Sequence, residues 1–186
     1  MKKISVLLLF MVFFGLQANN NSDKRSIMGA PTATSEQAKR WAKERNATPD
    51  FIRIADIFWE YCNSKGVNPV VAYCQAAKET AYGRFTGIMH VSSHNTAGLK
   101  ITRPSGDKRE DHMVFNSWED GISAHIDHLA LYAGASGYPS KTTLDPRHFG
   151  HLFGKSPYVE TLGGNWAPSS AYGENIVEMM VSLERM

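Results

Sequence analysis

Cysteine is scarce in this chain of 186 residues, where only Cys62 and Cys74 occur. Two interpretations are open for them: a disulfide, which an oxidising compartment would permit, or two small buried thiols, which is the interpretation we favour. Neither is a good candidate nucleophile, because Cys74 falls on the apolar side of its helix with no basic residue beside it on that face.

An excess of charge of either sign is also lacking. The chain carries 20 Lys and Arg against 18 Asp and Glu, and without Lys2 and Lys3 the two counts are equal. Nothing in this balance favours binding to nucleic acid or to an anionic membrane surface. Internal repeats are absent as well.

No apolar run is long enough to span a bilayer. The longest covers residues 4–16, well short of the ~20 residues that a membrane-spanning helix needs. Lys2 and Lys3 precede this run and polar residues follow it, which predicts a secretory signal peptide over residues 1–18 with cleavage after Ala18. An uncleaved anchor is less favoured, and a lipid anchor is not expected because no cysteine follows the run.

The rest of the chain is predicted to contain one domain. Residues 19–33 are rich in Asn, Ser, Pro and Thr, which is typical of a flexible segment. Residues 34–186 are expected to fold as a unit, since 42% of the chain is hydrophobic and 11% is aromatic, enough to bury a core.

A helix over residues 68–83 is central to the prediction. Asn68 is a good N-cap, Pro69 suits the first helical position, and Gly83 suits the left-handed residue after the helix. Glu79 lies opposite the apolar side of this helix, where the pattern alone is more typical of a solvated glutamate than of a catalytic one.

The complete pattern predicts a mainly α fold with about seven helices and one small β-hairpin. Two helices precede the central one, beginning at Thr34 and Thr48, and four follow it. Two short strands are predicted at Gly98–Ile101 and His112–Phe115. The later helices are predicted to begin at Ser117, at Asp145, at Ser156 and at Ser169 or Ser170.

Four segments in the order found here resemble one known family. They are AYCQAAKETAYG at 72–83, HNTAGLK at 94–100, FNSW at 115–118 and NWAPSSAYGENI at 165–176. From about Thr48 to its end the chain resembles the bacterial endo-β-N-acetylglucosaminidases of glycoside hydrolase family 73, which cut the glycan strands of peptidoglycan. The resemblance implies a lysozyme-like α+β fold, with the hairpin as a small lobe beside the central helix.

The resemblance also implies catalytic residues. It places the family's general acid on Glu79, a role that requires burial to raise the pKa of the carboxyl. A second carboxylate is expected in the hairpin lobe, where Asp107, Glu110 and Asp111 are available; we favour Glu110, then Asp111. Tyr172 matches a tyrosine of the family's cleft, although a plain core tyrosine is an equally good interpretation.

Five further residues are candidates for sugar binding: Gln75, Tyr82, Asn95, His112 and Trp166. A scaffold role is the alternative for Gln75 and Asn95, and a place in the core is the alternative for Trp166. A zinc site at His125 and His128 is the less favoured interpretation, because their spacing comes without a third ligand or an adjacent catalytic glutamate. No cofactor or metal is expected.

The predicted function is therefore that of a secreted peptidoglycan hydrolase at the cell wall. It would cleave the β-1,4 bond between N-acetylglucosamine and N-acetylmuramic acid, acting as a monomer on glycan strands. Two rival functions stay open: a lytic transglycosylase, which also uses a single glutamate, and a catalytically silent wall-binding module.

Overall fold

The computed structural model describes residues 24–186. The predicted signal peptide at 1–18 and the start of the predicted flexible segment lie outside the described residues. Within residues 24–186, no helix has the length and apolar character needed to cross a membrane. The helices are α1 (Ser35–Glu44), α2 (Pro49–Arg53), α3 (Ala55–Lys65), α4 (Pro69–Thr80), α5 (Trp118–Ala133) and α6 (Tyr172–Glu184).

Side-chain caps mark several helix starts, as the sequence predicts. Thr34 and Gln37 form a capping box at α1. The Asn68 side chain accepts the Val70 N–H at 3.0 Å at the start of α4, and Ser117 accepts the Asp120 N–H at 3.1 Å at the start of α5. Each cap satisfies a backbone N–H that has no partner within the helix.

Helix α4 lies at the centre of the core. Ten of its twelve residues are buried, and it contacts α3, α5 and α6. Tyr73 stacks on Phe51 with ring centroids 4.7 Å apart, and small residues such as Ala72 and Ala76 allow the neighbouring helices to approach closely. The amphipathic pattern therefore understated the burial of this helix.

The prediction of a mainly α fold is confirmed, but that of about seven helices is wrong. The structure has six α-helices in residues 24–186, one of them only five residues long. The helix predicted from Thr48 is divided at Ile54, which caps α3 without a side-chain hydrogen bond. The two helices predicted from Asp145 and Ser156 are replaced by the 3-10 turns Gly150–Leu152 and Val159–Leu162.

The prediction of a β-hairpin lobe is also wrong. Lys100 and His112 form one isolated antiparallel bridge, next to which the Ile101 N–H donates to the Asp111 carbonyl at 2.9 Å. In the predicted connection between the two strands, the Asp111 carboxylate accepts the backbone N–H groups of Ser105 at 2.6 Å and Lys108 at 3.0 Å. These bonds fold residues 105–111 into a compact loop.

Residues 24–33, predicted to belong to a flexible segment, instead pack on the domain. Ile27 is fully buried, and Ser26 and Met28 form antiparallel bridges with Tyr158 and Val67. The Arg25 N–H also donates to the Glu160 carboxylate at 3.0 Å. The turn Val159–Leu162 is thus held next to the chain that leads into α1.

Cys62 and Cys74 are both buried free thiols. Burial raises the pKa of each thiol above its ordinary value. Both side chains belong to the apolar core around α4, and neither is placed for nucleophilic chemistry.

Candidate active site

The carboxyl of Glu79 lies in a cleft beside the C-terminal end of α4. The helix ends at Thr80, and three residues with positive φ follow: Ala81 at 50°, Tyr82 at 60° and Gly83 at 81°. Gly83 must be glycine, because a Cβ there would lie 2.4 Å from Thr48 Oγ1 and 2.6 Å from the Cβ of Phe51. This tight turn fixes the end of α4 and hence the position of Glu79.

The cleft has a volume of about 400 Å³. Its lining consists of Glu79, Phe85, Gly87, Ile88, Met89, Ala97, Gly98, Lys100, Asp107, His112, Trp166, Ala167 and Pro168. Glu79 and Asp107 are the two acidic residues in that lining, and they belong to α4 and to the 105–111 loop.

Burial raises the pKa of the Glu79 carboxyl above its ordinary value of 4.5. A hydrogen bond from Tyr172 and the nearby Lys78 ammonium oppose this shift, but burial has the larger effect. A carboxyl of this kind keeps its proton to higher pH than a solvated glutamate does, as a general acid must.

Tyr172 orients one oxygen of Glu79. Its O–H donates to Glu79 Oε1 in a short hydrogen bond, and its own oxygen accepts the Gln75 Nε2–H at 3.0 Å. Burial and the adjacent Glu79 raise the pKa of the Tyr172 phenol well above its ordinary value, so the phenol keeps its proton and remains the donor.

The chain of hydrogen bonds continues behind Tyr172 to α5. Because Gln75 uses its amide nitrogen on Tyr172, its Oε1 accepts from His125 Nε2 at 2.9 Å. His125 Nδ1 then accepts from the Thr96 hydroxyl at 3.0 Å. Burial lowers the pKa of His125 to about 3, so the ring is neutral and carries its proton on Nε2. We call Thr96, His125, Gln75 and Tyr172 the relay.

Every donor in the relay points toward Glu79. Gln75 and His125 are fully buried, so neither can touch a sugar. For Gln75, burial favours the scaffold interpretation over sugar binding. The sequence identified Gln75 and Tyr172 as candidates but gave no sign that His125 joins them, since these residues are far apart in the chain.

The side chain of Asn95 stabilises a turn in the cleft wall. It is fully buried, its Nδ2 donates to the carbonyls of Leu99 at 2.8 Å and Met113 at 3.0 Å, and its Oδ1 accepts the Leu99 N–H at 3.0 Å. These bonds form the turn that carries Gly98, whose φ is 63°. Asn95 therefore shapes the wall of the cleft without reaching its interior.

Gly98 lies against the second oxygen of Glu79. A Cβ built on Gly98 would be 3.5 Å from Glu79 Oε2, and in residues 24–186 no protein group donates a hydrogen bond to this oxygen. Glu79 thus has one oxygen held by Tyr172 and one facing the cleft.

The carboxylates predicted opposite Glu79 are placed differently from what we expected. Asp111 is buried and bonded within its own loop, and the N–H groups of Lys108 and Ser105 lower the pKa of its carboxyl to about 2. Glu110 is exposed and does not line the cleft. Asp107, which ranked behind both, does line it, with Oδ1 3.0 Å from Lys100 Nζ and 3.5 Å from His112 Nε2.

Tyr82 lies away from the cleft. Its ring packs against Trp41 with centroids 5.4 Å apart, and the Arg84 guanidinium lies over the ring at 5.4 Å. The positive φ of Tyr82 turns the chain at this point, so the helical spacing that placed it on the Glu79 face no longer applies.

His112 and Trp166 do line the cleft. His112 Nδ1 donates to the Lys108 carbonyl at 2.8 Å, which directs Nε2 toward Asp107. Sequence reasoning missed the apolar wall made by Phe85, Ile88 and Met89. Ile88, which is 45% exposed, was visible as an isolated apolar residue in a Gly- and Ser-rich loop.

The two histidines weighed as zinc ligands have other partners. His125 uses both ring nitrogens in the relay, and His128 Nδ1 donates to Asp145 Oδ2 at 2.6 Å. Residues 24–186 contain no group of three or more His, Cys, Asp or Glu side chains that could hold a metal ion.

Comparison with known proteins identifies the family of this chain. The family profile for glucosaminidase, described as mannosyl-glycoprotein endo-β-N-acetylglucosaminidase, matches residues 55–185. The chain belongs to this family, glycoside hydrolase family 73. The matched region runs from the start of α3 to the last turn of α6 and includes Glu79, Asp107 and the whole relay.

One similar curated protein is an uncharacterised protein of Borreliella burgdorferi. It is 30% identical over 119 residues, which cover 64% of this chain and 56% of that protein. This glucosaminidase-family chain thus spans little more than half the length of its relative. No solved structure matches it.

Proposed function

We propose that this protein is a secreted peptidoglycan hydrolase that cleaves the β-1,4 bond between N-acetylglucosamine and N-acetylmuramic acid, with Glu79 as general acid. One observation carries the proposal: a carboxyl whose pKa is raised by burial and that has one oxygen fixed by Tyr172 and the other open to a cleft. Family membership supports the choice of N-acetylglucosamine on the cleaved side.

In the proposed reaction the proton on Glu79 Oε2 passes to the glycosidic oxygen. The bond between this oxygen and the sugar C1 breaks, and positive charge develops at C1. Water then forms the new bond to C1 and gives up its proton. Asp107, which also lines the cleft, is our candidate for accepting that proton or for stabilising the charge. The reaction needs only side chains and water.

The groove around Glu79 supports a polysaccharide substrate. Ile88 and Trp166 form apolar surface on which sugar rings can pack. Lys100 and His112 carry polar groups that can form hydrogen bonds with sugar hydroxyls. We further propose that the chain is exported through residues 1–18 and acts at the cell wall as a monomer.

A lytic transglycosylase is the second candidate. Within the part of the chain that the structure describes, Glu79 is the carboxyl of the cleft lining whose pKa burial raises, whereas Asp107 is exposed and paired with Lys100. A transglycosylase requires a single glutamate, so this asymmetry favours it over a silent wall-binding module.

The test is digestion of purified peptidoglycan by the protein. The fragments are reduced with borohydride and analysed by mass spectrometry. Reduced N-acetylglucosamine at the new ends supports the proposal, anhydro-muramic ends indicate a transglycosylase, and no release indicates a silent wall-binding module.

Two variants make the digestion specific to the cleft. Glu79→Gln removes the acid while keeping its shape, and we expect no product. Glu110→Gln removes one carboxylate from the exposed surface near the cleft, and we expect the wild-type product. Unchanged release by Glu79→Gln would refute the assignment of Glu79.

A further inference from the structure

A second cavity lies next to the cleft of Glu79. Its volume is about 280 Å³, and it shares Ala97, Gly98, Lys100 and Trp166 with the cleft. The cavity is therefore a side pocket of the same groove. A group attached to a sugar in the groove can enter it. Its remaining lining includes His128, Tyr132, Arg147, His151 and Asn165.

The charges of the side pocket are of one sign. Lys100 and Arg147 line it, and no acidic side chain of residues 24–186 does. Lys100 is paired with Asp107 at 3.0 Å. Arg147 has no carboxylate partner within residues 24–186. The pocket thus presents an uncompensated cation next to a cleft that holds Glu79.

Arg147 is held in place but keeps most of its donors free. Its Nη1 donates to the Thr102 carbonyl at 3.1 Å, its guanidinium lies 4.8 Å from the centre of the Phe149 ring, and its backbone N–H donates to Asp145 Oδ1 at 2.8 Å. A guanidinium has five N–H donors and binds a carboxylate with two of them in parallel.

His128 adds a polar atom to the pocket wall. The residue is 6% exposed, and its Nδ1 donates to Asp145 Oδ2 at 2.6 Å. The other ring nitrogen, Nε2, has no hydrogen bond to a protein group within residues 24–186. Trp166 packs edge-on against the ring with centroids 4.9 Å apart. Nε2 is therefore free to form a hydrogen bond with a ligand in the pocket.

We propose that the side pocket is a subsite for the carboxylate-bearing substituent of the glycan strand, with Arg147 binding the carboxylate and His128 Nε2 forming a hydrogen bond with a polar group next to it. The inference rests on the proposed function. In peptidoglycan such a carboxylate has two sources, the lactyl group of muramic acid and the peptide attached to it. A chitin-like strand has neither.

Calorimetry on the Glu79→Gln protein tests this subsite without turnover. Three tetrasaccharides are compared: one of N-acetylglucosamine alone, one alternating with muramic acid bearing a free lactyl carboxylate, and one bearing stem peptides. Because a bidentate charged contact is added, we expect a carboxylate-bearing ligand to bind roughly tenfold or more tightly than the neutral one. The tighter of the two anionic ligands identifies the source of the carboxylate.

The outcomes separate the subsite from the proposed function. If all three ligands bind equally, the subsite is refuted and the glycan-binding groove stands. If none binds, the proposed function fails and the subsite with it. Methyl esterification of the preferred ligand should remove the preference while the pocket stays unaltered. A preference that survives esterification also refutes the proposal.

Substitutions locate the contact. Arg147→Gln should reduce the ratio of the anionic to the neutral affinity roughly tenfold, and Arg147→Lys should retain part of it because the charge remains. Arg103→Gln is the matched control, since Arg103 is an exposed arginine that follows Thr102 in the chain and lies outside the pocket lining. Equal ratios in Arg147→Gln and Arg103→Gln would overturn the assignment. The affinity for the neutral ligand reports that the groove is folded.

Discussion

Replacing Tyr172 with phenylalanine removes one hydroxyl at the point where two hydrogen bonds meet. The hydroxyl donates to Glu79 Oε1 and accepts from Gln75 Nε2. The ring stays, since Tyr172 is only 5% exposed and packs in the main core. The substitution therefore isolates the polar contribution of the relay to the acid.

We expect Tyr172→Phe to change both the free energy of unfolding and kcat. Loss of the bond to a carboxylate and the unsatisfied amide of Gln75 should together lower the free energy of unfolding by roughly 2–5 kcal/mol. The Glu79 carboxyl also loses the group that orients it, and a small misplacement of a catalytic group lowers kcat by roughly tenfold to a hundredfold.

The dependence of kcat on pH tests the direction in which Tyr172 shifts the pKa of Glu79. Activity requires protonated Glu79, so kcat falls as pH rises through the pKa of its carboxyl. The Tyr172 hydrogen bond lowers this pKa. Without it the pKa rises, and the alkaline limb of the kcat profile should move to higher pH. Measuring kcat on soluble glycan fragments over a range of pH checks this direction.

Tyr73→Phe is the matched control. Tyr73 lies on the same helix and donates to the Phe51 carbonyl at 2.9 Å, away from Glu79. Its loss should lower stability yet leave the pH profile unchanged. An unchanged profile in Tyr172→Phe, or an alkaline limb that moves to lower pH, would show that the relay does not act on the acid.

Stability should depend on the same carboxyl. Because folding raises the pKa of Glu79 above 4.5, its stabilising contribution is full below that pH and declines as pH rises through the folded pKa. Four substitutions test the cleft and the turn after α4. Asp107→Asn should lower kcat roughly a hundredfold, and Glu110→Gln should leave it within about twofold; equal effects would contradict our choice of Asp107. Gly98→Ala should lower kcat/KM roughly tenfold, because the new Cβ would lie 3.5 Å from Glu79 Oε2. The φ of 63° at this position should lower the unfolding free energy of the variant by only about 1 kcal/mol. Gly83→Ala should lower the unfolding free energy by about 2–4 kcal/mol in urea titrations, and a smaller loss would show that the turn after α4 relaxes.

The central helix was predictable because its signals are local. Asn68 and Pro69 mark its start as expected, and the chain turns left-handed over residues 81–83. Its near-complete burial was not predictable. Which faces are covered depends on α3, α5 and α6, and the spacing of apolar residues within one helix does not report how many neighbours it has.

The relay and the 105–111 loop could not be predicted from the sequence, for a different reason. Gln75 and Tyr172 are 97 residues apart, and Gln75 and His125 are 50 apart, so no local pattern connects them. For the loop, the sequence predicted only a polar connection between two strands. Its conformation depends on one side chain, since the Asp111 carboxylate accepts the backbone N–H groups of Ser105 and Lys108. No repeating pattern reports such contacts, so the sequence did not show that Asp107, and not Glu110, lines the cleft.

The two oxygens of Glu79 are not equivalent, and this has a consequence for how a polymer can lie in the groove. Oε1 is occupied by Tyr172, whereas Oε2 lies beside Gly98. In the proposed reaction, a glycosidic linkage must therefore bring its bridging oxygen to Glu79 from the Gly98 side. A substrate whose substituents prevent this approach should bind in the groove without being cleaved.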